Sequence, residues 1–163
     1  MAVNPKSIPR KRFEKLLELT NEMKRRRLSR LDTYSKSNHA AFILTKDFEV
    51  VSYGENHYRN VPCSMSCHAE KDAIMNIKQD RFKYNKTYYM FVIKVSNKIG
   101  SLGESACCVR CREMLMNNKI NFSRVYYSVE NGITYRNINN LPIHISERDR
   151  NERNRRDRNE THN

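Results

Sequence analysis

No stretch of this 163-residue sequence approaches the apolar run of about 20 residues that a membrane-spanning helix needs. The first residues, MAVNPKSIPRKR, put no apolar segment ahead of their basic residues, so they do not read as a secretory signal. The expectation is a soluble protein of the cell interior, cytoplasmic or nuclear, with no membrane partner. The sequence also lacks the even, dispersed cysteines of a disulfide framework. Its five, Cys63, Cys67, Cys107, Cys108 and Cys111, are odd in number and crowd into two short stretches. In a reducing compartment such clusters more often bind metal or do chemistry. Cys63 and Cys67 also read as buried, inert thiols.

Acidic residues are scarce: 18 Asp and Glu against 31 Lys and Arg leave a formal charge of +13. The surplus is uneven. Residues 1–36 carry 11 basic against 4 acidic side chains, whereas the Arg-rich stretch from Glu147 onward carries 6 against 5. The true basic run is Lys24-Arg25-Arg26-Arg27, with Arg30 close behind. It reads either as a solvated helix face or as a surface for RNA or DNA, and such runs also serve as nuclear localisation signals. Residues 147–163 contain no large apolar side chain. They cannot bury enough surface to offset the entropy of ordering, which predicts a disordered tail. The length suffices for one domain with a real core. The expected organisation is a lead-in over 1–9, a domain over 10–146 and the tail over 147–163.

Hydrophobic spacing predicts a helix from Arg10 to about Arg30, with Phe13, Leu16, Leu17 and Met23 on its apolar face. Ala40–Leu44 and Phe48–Tyr53 flank a polar Lys46-Asp47 turn and read as a β-hairpin. A helix over about Cys67–Lys78 follows, with Ser64 or Ser66 available to cap it. Tyr88–Ile93 is an aromatic and β-branched strand suited to the middle of a sheet. Cys108–Asn118 reads as a helix and Val125–Val129 as a strand, and the Asn131-Gly132 turn leads to a partner strand at Ile133–Tyr135. The order α-β-β-α-β-α-β-β implies a mixed sheet with helices packed on its faces.

Two pieces carry chemistry. Ser66-Cys67-His68-Ala69-Glu70 opens one predicted helix and Cys107-Cys108-Val109-Arg110-Cys111 opens the next. His-x-Glu alone is common, and a single Cys-x-x-Cys is shared with redox proteins and zinc knuckles. Together and in this order they are specific. Catalytic zinc takes three protein ligands and keeps one position for water. Cys108 and Cys111 lie one helical turn apart, His68 offers a third donor, and helix N-termini favour thiolates. Glu70, two residues beyond His68, falls beside the metal without ligating it, as a proton shuttle requires.

On these residues the chain resembles the zinc-dependent cytidine deaminase superfamily, whose pattern is His-x-Glu followed by Pro-Cys-x-x-Cys. The resemblance extends over roughly residues 10–138. It implies a three-layer α/β/α fold with a mixed five-stranded sheet. It implies zinc on His68, Cys108 and Cys111, with zinc-bound hydroxide attacking the amino-bearing carbon of a base while Glu70 moves the protons. It also implies substrate contacts at Ala69 and at Asn56, which sits where many members carry a sugar-binding Asn. An Asn after a strand is equally a turn residue. Where the pattern has Pro, this chain has Cys107, a third thiol that could compete for the metal.

The substrate stays open. The Asn131-Gly132 hairpin looks like the free cytidine deaminases, yet those generally use Cys where this chain has His68. Cytidine, deoxycytidine or their monophosphates are expected, with polynucleotide editing as the alternative. A further alternative is a non-catalytic, zinc-containing nucleic-acid-binding module, or a closed zinc knuckle that recruits Cys63 and Cys67. Tyr53, His57, Tyr58 and Arg59 fall near the expected pocket and either contact a base or phosphate or are ordinary strand and loop residues. His39 and His144 receive no role. Small members of the superfamily are often dimers or tetramers, so a homo-oligomer is implied.

Overall fold

The computed structural model describes residues 8–29, 38–58, 66–95 and 101–142. The expected tail, Cys63, Ser64, Arg59 and His144 lie outside these residues. The elements run α1 (Arg10–Ser29), β1 (Asn38–Leu44), β2 (Val50–Glu55), β3 (His57–Tyr58), β4 (Ser66–Cys67), α2 (Ala69–Met75), β5 (Thr87–Val95), β6 (Leu102–Gly103), α3 (Val109–Met116), β7 (Asn121–Val129) and β8 (Gly132–Asn137). Short 3₁₀ turns at Gln79–Arg81 and Ile138–Asn140 complete the list.

β5 shows why the sheet is central. Its side chains alternate with the two-residue period of a strand. Tyr88, Met90 and Val92 enter one apolar cluster, and Tyr89, Phe91, Ile93 and Val95 enter another on the opposite face. A strand buried on both faces needs a continuous apolar run, and β5 has one. α1 covers the second face with Leu16, Leu19 and Met23, while α2 and α3 cover the first with Ala69, Ala73, Cys111 and Leu115. Burial of each large aliphatic side chain contributes about 1.5–3 kcal/mol. The result is the expected α/β/α layering.

The strand order is β2-β1-β5-β7-β8. β1 is antiparallel to both β2 and β5, β5 and β7 are parallel, and β7 and β8 are antiparallel. The parallel step requires a crossover, and the segment carrying α3 supplies it. Among the described residues the sheet has six strands rather than five, because the two-residue β6 pairs with the end of β5. So short a strand carries no periodicity for a sequence to reveal.

Other expectations need adjustment. Leu17 is exposed and Leu19 takes its place in the core, because α1 presents Leu16, Leu19, Thr20 and Met23 to the sheet. α2 and α3 are shorter than predicted, each ending at an asparagine cap, Asn76 and Asn117. Ser66 does not cap α2. It lies in β4, and His68 is the cap residue. Among the described residues, no helix is long and apolar enough to cross a membrane.

Candidate active site

The site forms where α2 and α3 begin, on the same face of the sheet. Cap residues have extended backbone, which turns a side chain across the helix mouth. His68 (φ −73°, ψ 148°) caps α2 and Cys108 (φ −69°, ψ 166°) caps α3 in this way. Cys111 follows one turn into α3.

α2 is pinned to β2 at close range. Ser52 Oγ donates to the Ala73 carbonyl at 2.6 Å, and the Glu55 N–H donates to Asp72 Oδ2 at 3.0 Å. Gly54 permits the approach, since a Cβ there would lie 2.1 Å from Ala73 N and 2.5 Å from the Ala69 carbonyl. The loop into α3 is strapped to the sheet by buried Ser105. Its hydroxyl donates to the Val92 carbonyl at 2.8 Å and accepts from the Ser128 N–H at 2.8 Å. Ser105 escaped sequence reasoning, as a lone serine in a polar loop gives no signal.

These constraints bring His68, Cys108 and Cys111 together. His68 Nδ1 lies 3.2 Å from Cys111 Sγ and 3.5 Å from Cys108 Sγ. A tetrahedral zinc with Zn–N of about 2.0–2.1 Å and Zn–S of about 2.3 Å separates such donors by about 3.6 Å. Two sulfurs and an imidazole also suit zinc by chemistry. The donors therefore fit the ion. Cys108 is held below the usual thiol range, first by a hydrogen bond from Cys111 and then by His68, against the opposing effect of burial. Cys111, the partner that keeps the proton, is raised.

Glu70 lies in the first turn of α2 and is buried. Its carboxyl is raised above the ordinary range, chiefly by desolvation and further by the charge of Cys108, while His68 and a hydrogen bond with Cys107 oppose the shift. Cys107 is buried in the apolar cluster and stands outside the three-donor group. Its thiol is pushed well up, first by burial and then by the Glu70 carboxyl beside it.

The remaining expected residues divide. Ala69 is fully buried at the start of α2. Asn56 Oδ1 accepts from the His39 N–H at 2.8 Å, and the Asn56 N–H donates to the His39 carbonyl at 3.1 Å, so this side chain fastens the end of β2 to β1. Tyr53 is not at the pocket. Its ring packs on Phe42 and under the Arg26 guanidinium on the α1 face, because alternation along β2 points it away from α2. The side chains of Tyr58 and Arg59 lie outside the described residues. His57 and Cys67 do not join the His68 group, and instead gather with Asp72.

Fold and donors together define an α/β domain built around a zinc site. The family model for the cytidine and deoxycytidylate deaminase zinc-binding region matches residues 11–129, and this chain belongs to that family. Among solved structures, cytidine deaminase from Burkholderia pseudomallei aligns with a TM-score of 0.54 and 16% identity, over 80% of this chain and 98% of that one. Cytidine deaminase from Mycobacterium leprae aligns with a TM-score of 0.41 and 15% identity, over 71% of this chain and 87% of that one. At 16% identity the first likeness speaks to the fold. No curated protein matches the chain in sequence.

Proposed function

We propose that this protein is a hydrolytic deaminase acting on a cytosine-type base, presented as cytidine, deoxycytidine or a monophosphate of either. The observation that carries the reading is Glu70, a buried carboxyl interacting electrostatically with Cys108 and His68 yet outside the donor group. A structural zinc site has no use for such a group, and burying it without a task is costly. His68, Cys108 and Cys111 would hold the ion, which when bound would supply a Lewis acid able to lower the pKa of water toward neutrality. Glu70, raised by desolvation, holds a proton more readily than an exposed carboxylate and so can act as a proton carrier. It accepts a proton from the attacking water and donates it to the ring nitrogen, and it then assists departure of ammonia from the carbon that bore the amino group. The β7–β8 hairpin resembles that of the free cytidine deaminases rather than the deoxycytidylate or polynucleotide ones, and so favours the free nucleoside within this group.

The test is deamination followed by mass spectrometry on zinc-loaded protein. The panel holds cytidine, deoxycytidine, their monophosphates, adenosine, guanine, and single-stranded RNA and DNA. Glu70→Ala should keep its zinc and lose about 10²–10⁴-fold in turnover. Conversion of polynucleotide alone would move the substrate class. Full activity in Glu70→Ala would overturn the mechanism.

A further inference from the structure

Among the described residues, two separate groups of side chains can each surround a metal ion. One is the His68 group. The other is His57, Cys67 and Asp72, whose donor atoms all lie within 4.8 Å of one another. The two groups share no residue.

Three elements build the second group. His57 and Cys67 are directly opposed partners in the β3–β4 ladder, which puts their side chains on one face. Asp72 reaches that face from α2, where the Glu55 N–H anchors it. Cys67 is buried, Asp72 is largely so, and His57 is exposed enough to adjust.

The hydrogen bonds leave ligand atoms to spare. Asp72 Oδ2 accepts from the Glu55 N–H at 3.0 Å and from Asn76 Nδ2 at 3.2 Å. That division turns the other oxygen, Oδ1, toward His57, 3.9 Å from Nδ1. His57 Nδ1 lies 3.1 Å from the Glu55 carbonyl. The ring can offer a metal either nitrogen: Nε2 with the carbonyl bond kept, or Nδ1, which already faces Asp72, with that bond given up. Ligating imidazoles are ordinarily oriented by such a bond to a carbonyl, and ligating carboxylates are themselves hydrogen-bonded. The same backbone unit, Glu55, therefore orients two of the three donors.

We propose that His57, Cys67 and Asp72 form a second site for a divalent transition ion of the zinc class, independent of the His68 site. One sulfur, one nitrogen and one oxygen suit zinc or cobalt and do not suit magnesium or calcium. The ion clips the β3–β4 hairpin to α2. Because Cys67 immediately precedes His68, the clip holds the backbone that carries the neighbouring site's donor.

Metal content of the full chain tests this. Metal-depleted protein is dialysed against Zn2+, and bound zinc is counted by mass spectrometry. Co2+ loading then reports thiolate ligation through its charge-transfer absorption. The wild type should hold about two ions per chain, as two complete donor sets imply. His57→Ala and Asp72→Asn should each hold one fewer while retaining the stronger, two-thiolate cobalt absorption. His68→Ala should lose the other ion and leave the weaker, one-thiolate signal. His57 is exposed and its removal leaves no cavity, so His57→Ala decides the matter should Asp72→Asn unfold, as circular dichroism would reveal. An ion count unchanged by His57→Ala overturns the proposal. A single ion lost with His57→Ala and kept with His68→Ala would uphold this site and overturn the metal assignment under the proposed function.

Discussion

At the residue scale the position of interest is Cys107. The superfamily pattern has proline there, which presets the backbone at a helix start. A cysteine leaves that backbone freer and adds a thiol one residue from a ligand. The structure separates the two roles. Cys108 and Cys111 converge on His68, whereas Cys107 turns inward, is buried and lies close enough to Glu70 to interact with it electrostatically. Cys107→Ala should therefore leave the zinc content of the His68 site unchanged, while Cys111→Ala should empty it. Metal analysis of the two variants, side by side, checks the distinction. Equal losses would mean that Cys107 ligates.

At the element scale the decisive packing is β2 against α2. Gly54 has no Cβ, and the backbone of α2 occupies the space where one would be. An added methyl cannot be absorbed by turning a flexible side chain, since the atoms it meets are main-chain atoms. Overpacking of this kind costs about 1–3 kcal/mol and sometimes more. Gly54→Ala should fall at the upper end, seen as a lower urea midpoint. It should also weaken zinc binding, because displacing α2 moves His68 relative to Cys108 and Cys111. A stable variant with full metal affinity would show that α2 can shift as a unit without opening the site. The turn between β1 and β2 is held in a comparable way. Phe48 has a positive φ of 66°, unusual for a bulky residue. Its ring is buried against Tyr89 and Tyr126, and Thr45 Oγ1 accepts from the N–H groups of Asp47 and Glu49.

At the scale of the whole molecule the sheet divides two chemistries. α1, with its exposed basic residues, covers one face, and the metal donors lie at the helix starts on the other. Phosphate contacts from Lys24 and Arg25 would thus be made on the far side from Glu70. The core between these layers is rich in tyrosine, which makes stability sensitive to base. Burial is the leading cause that raises Tyr126, opposed by its bond with Arg124, and burial likewise raises Tyr127, opposed by Arg136. A tyrosine is neutral when protonated, so the fold favours the proton. The unfolded chain releases it near the ordinary value of 10.0, and the folded chain does so higher. This contribution is complete below pH 10 and is lost as pH rises toward the folded value. The melting temperature should fall as pH rises above about 10, less steeply in Tyr126→Phe, which has no phenol to ionise. Parallel slopes would remove Tyr126 from the account.

Local pattern was sufficient for much of this molecule. The apolar runs of β1, β5 and β7 identified the sheet, the helical spacing identified α1, and the Asn131-Gly132 pair identified the last hairpin. The metal donors were legible for a related reason. A ligand pair one helical turn apart, with a His-x-Glu upstream, is a constraint written over a few neighbouring residues. Other features depend on contacts between distant segments and leave no local trace. β6 exists because β5 offers it an edge. Ser105 matters because Ser128 and Val92 lie beside it. Tyr53 turned out to face α1 because strand alternation at β2 is referred to layers that only the folded sheet creates. Asn56 came to bind the backbone at His39 for a similar reason. The gathering of His57, Cys67 and Asp72 belongs to this second kind. Their spacing follows no ligand motif, and only strand pairing and the docking of α2 on β2 bring the three together.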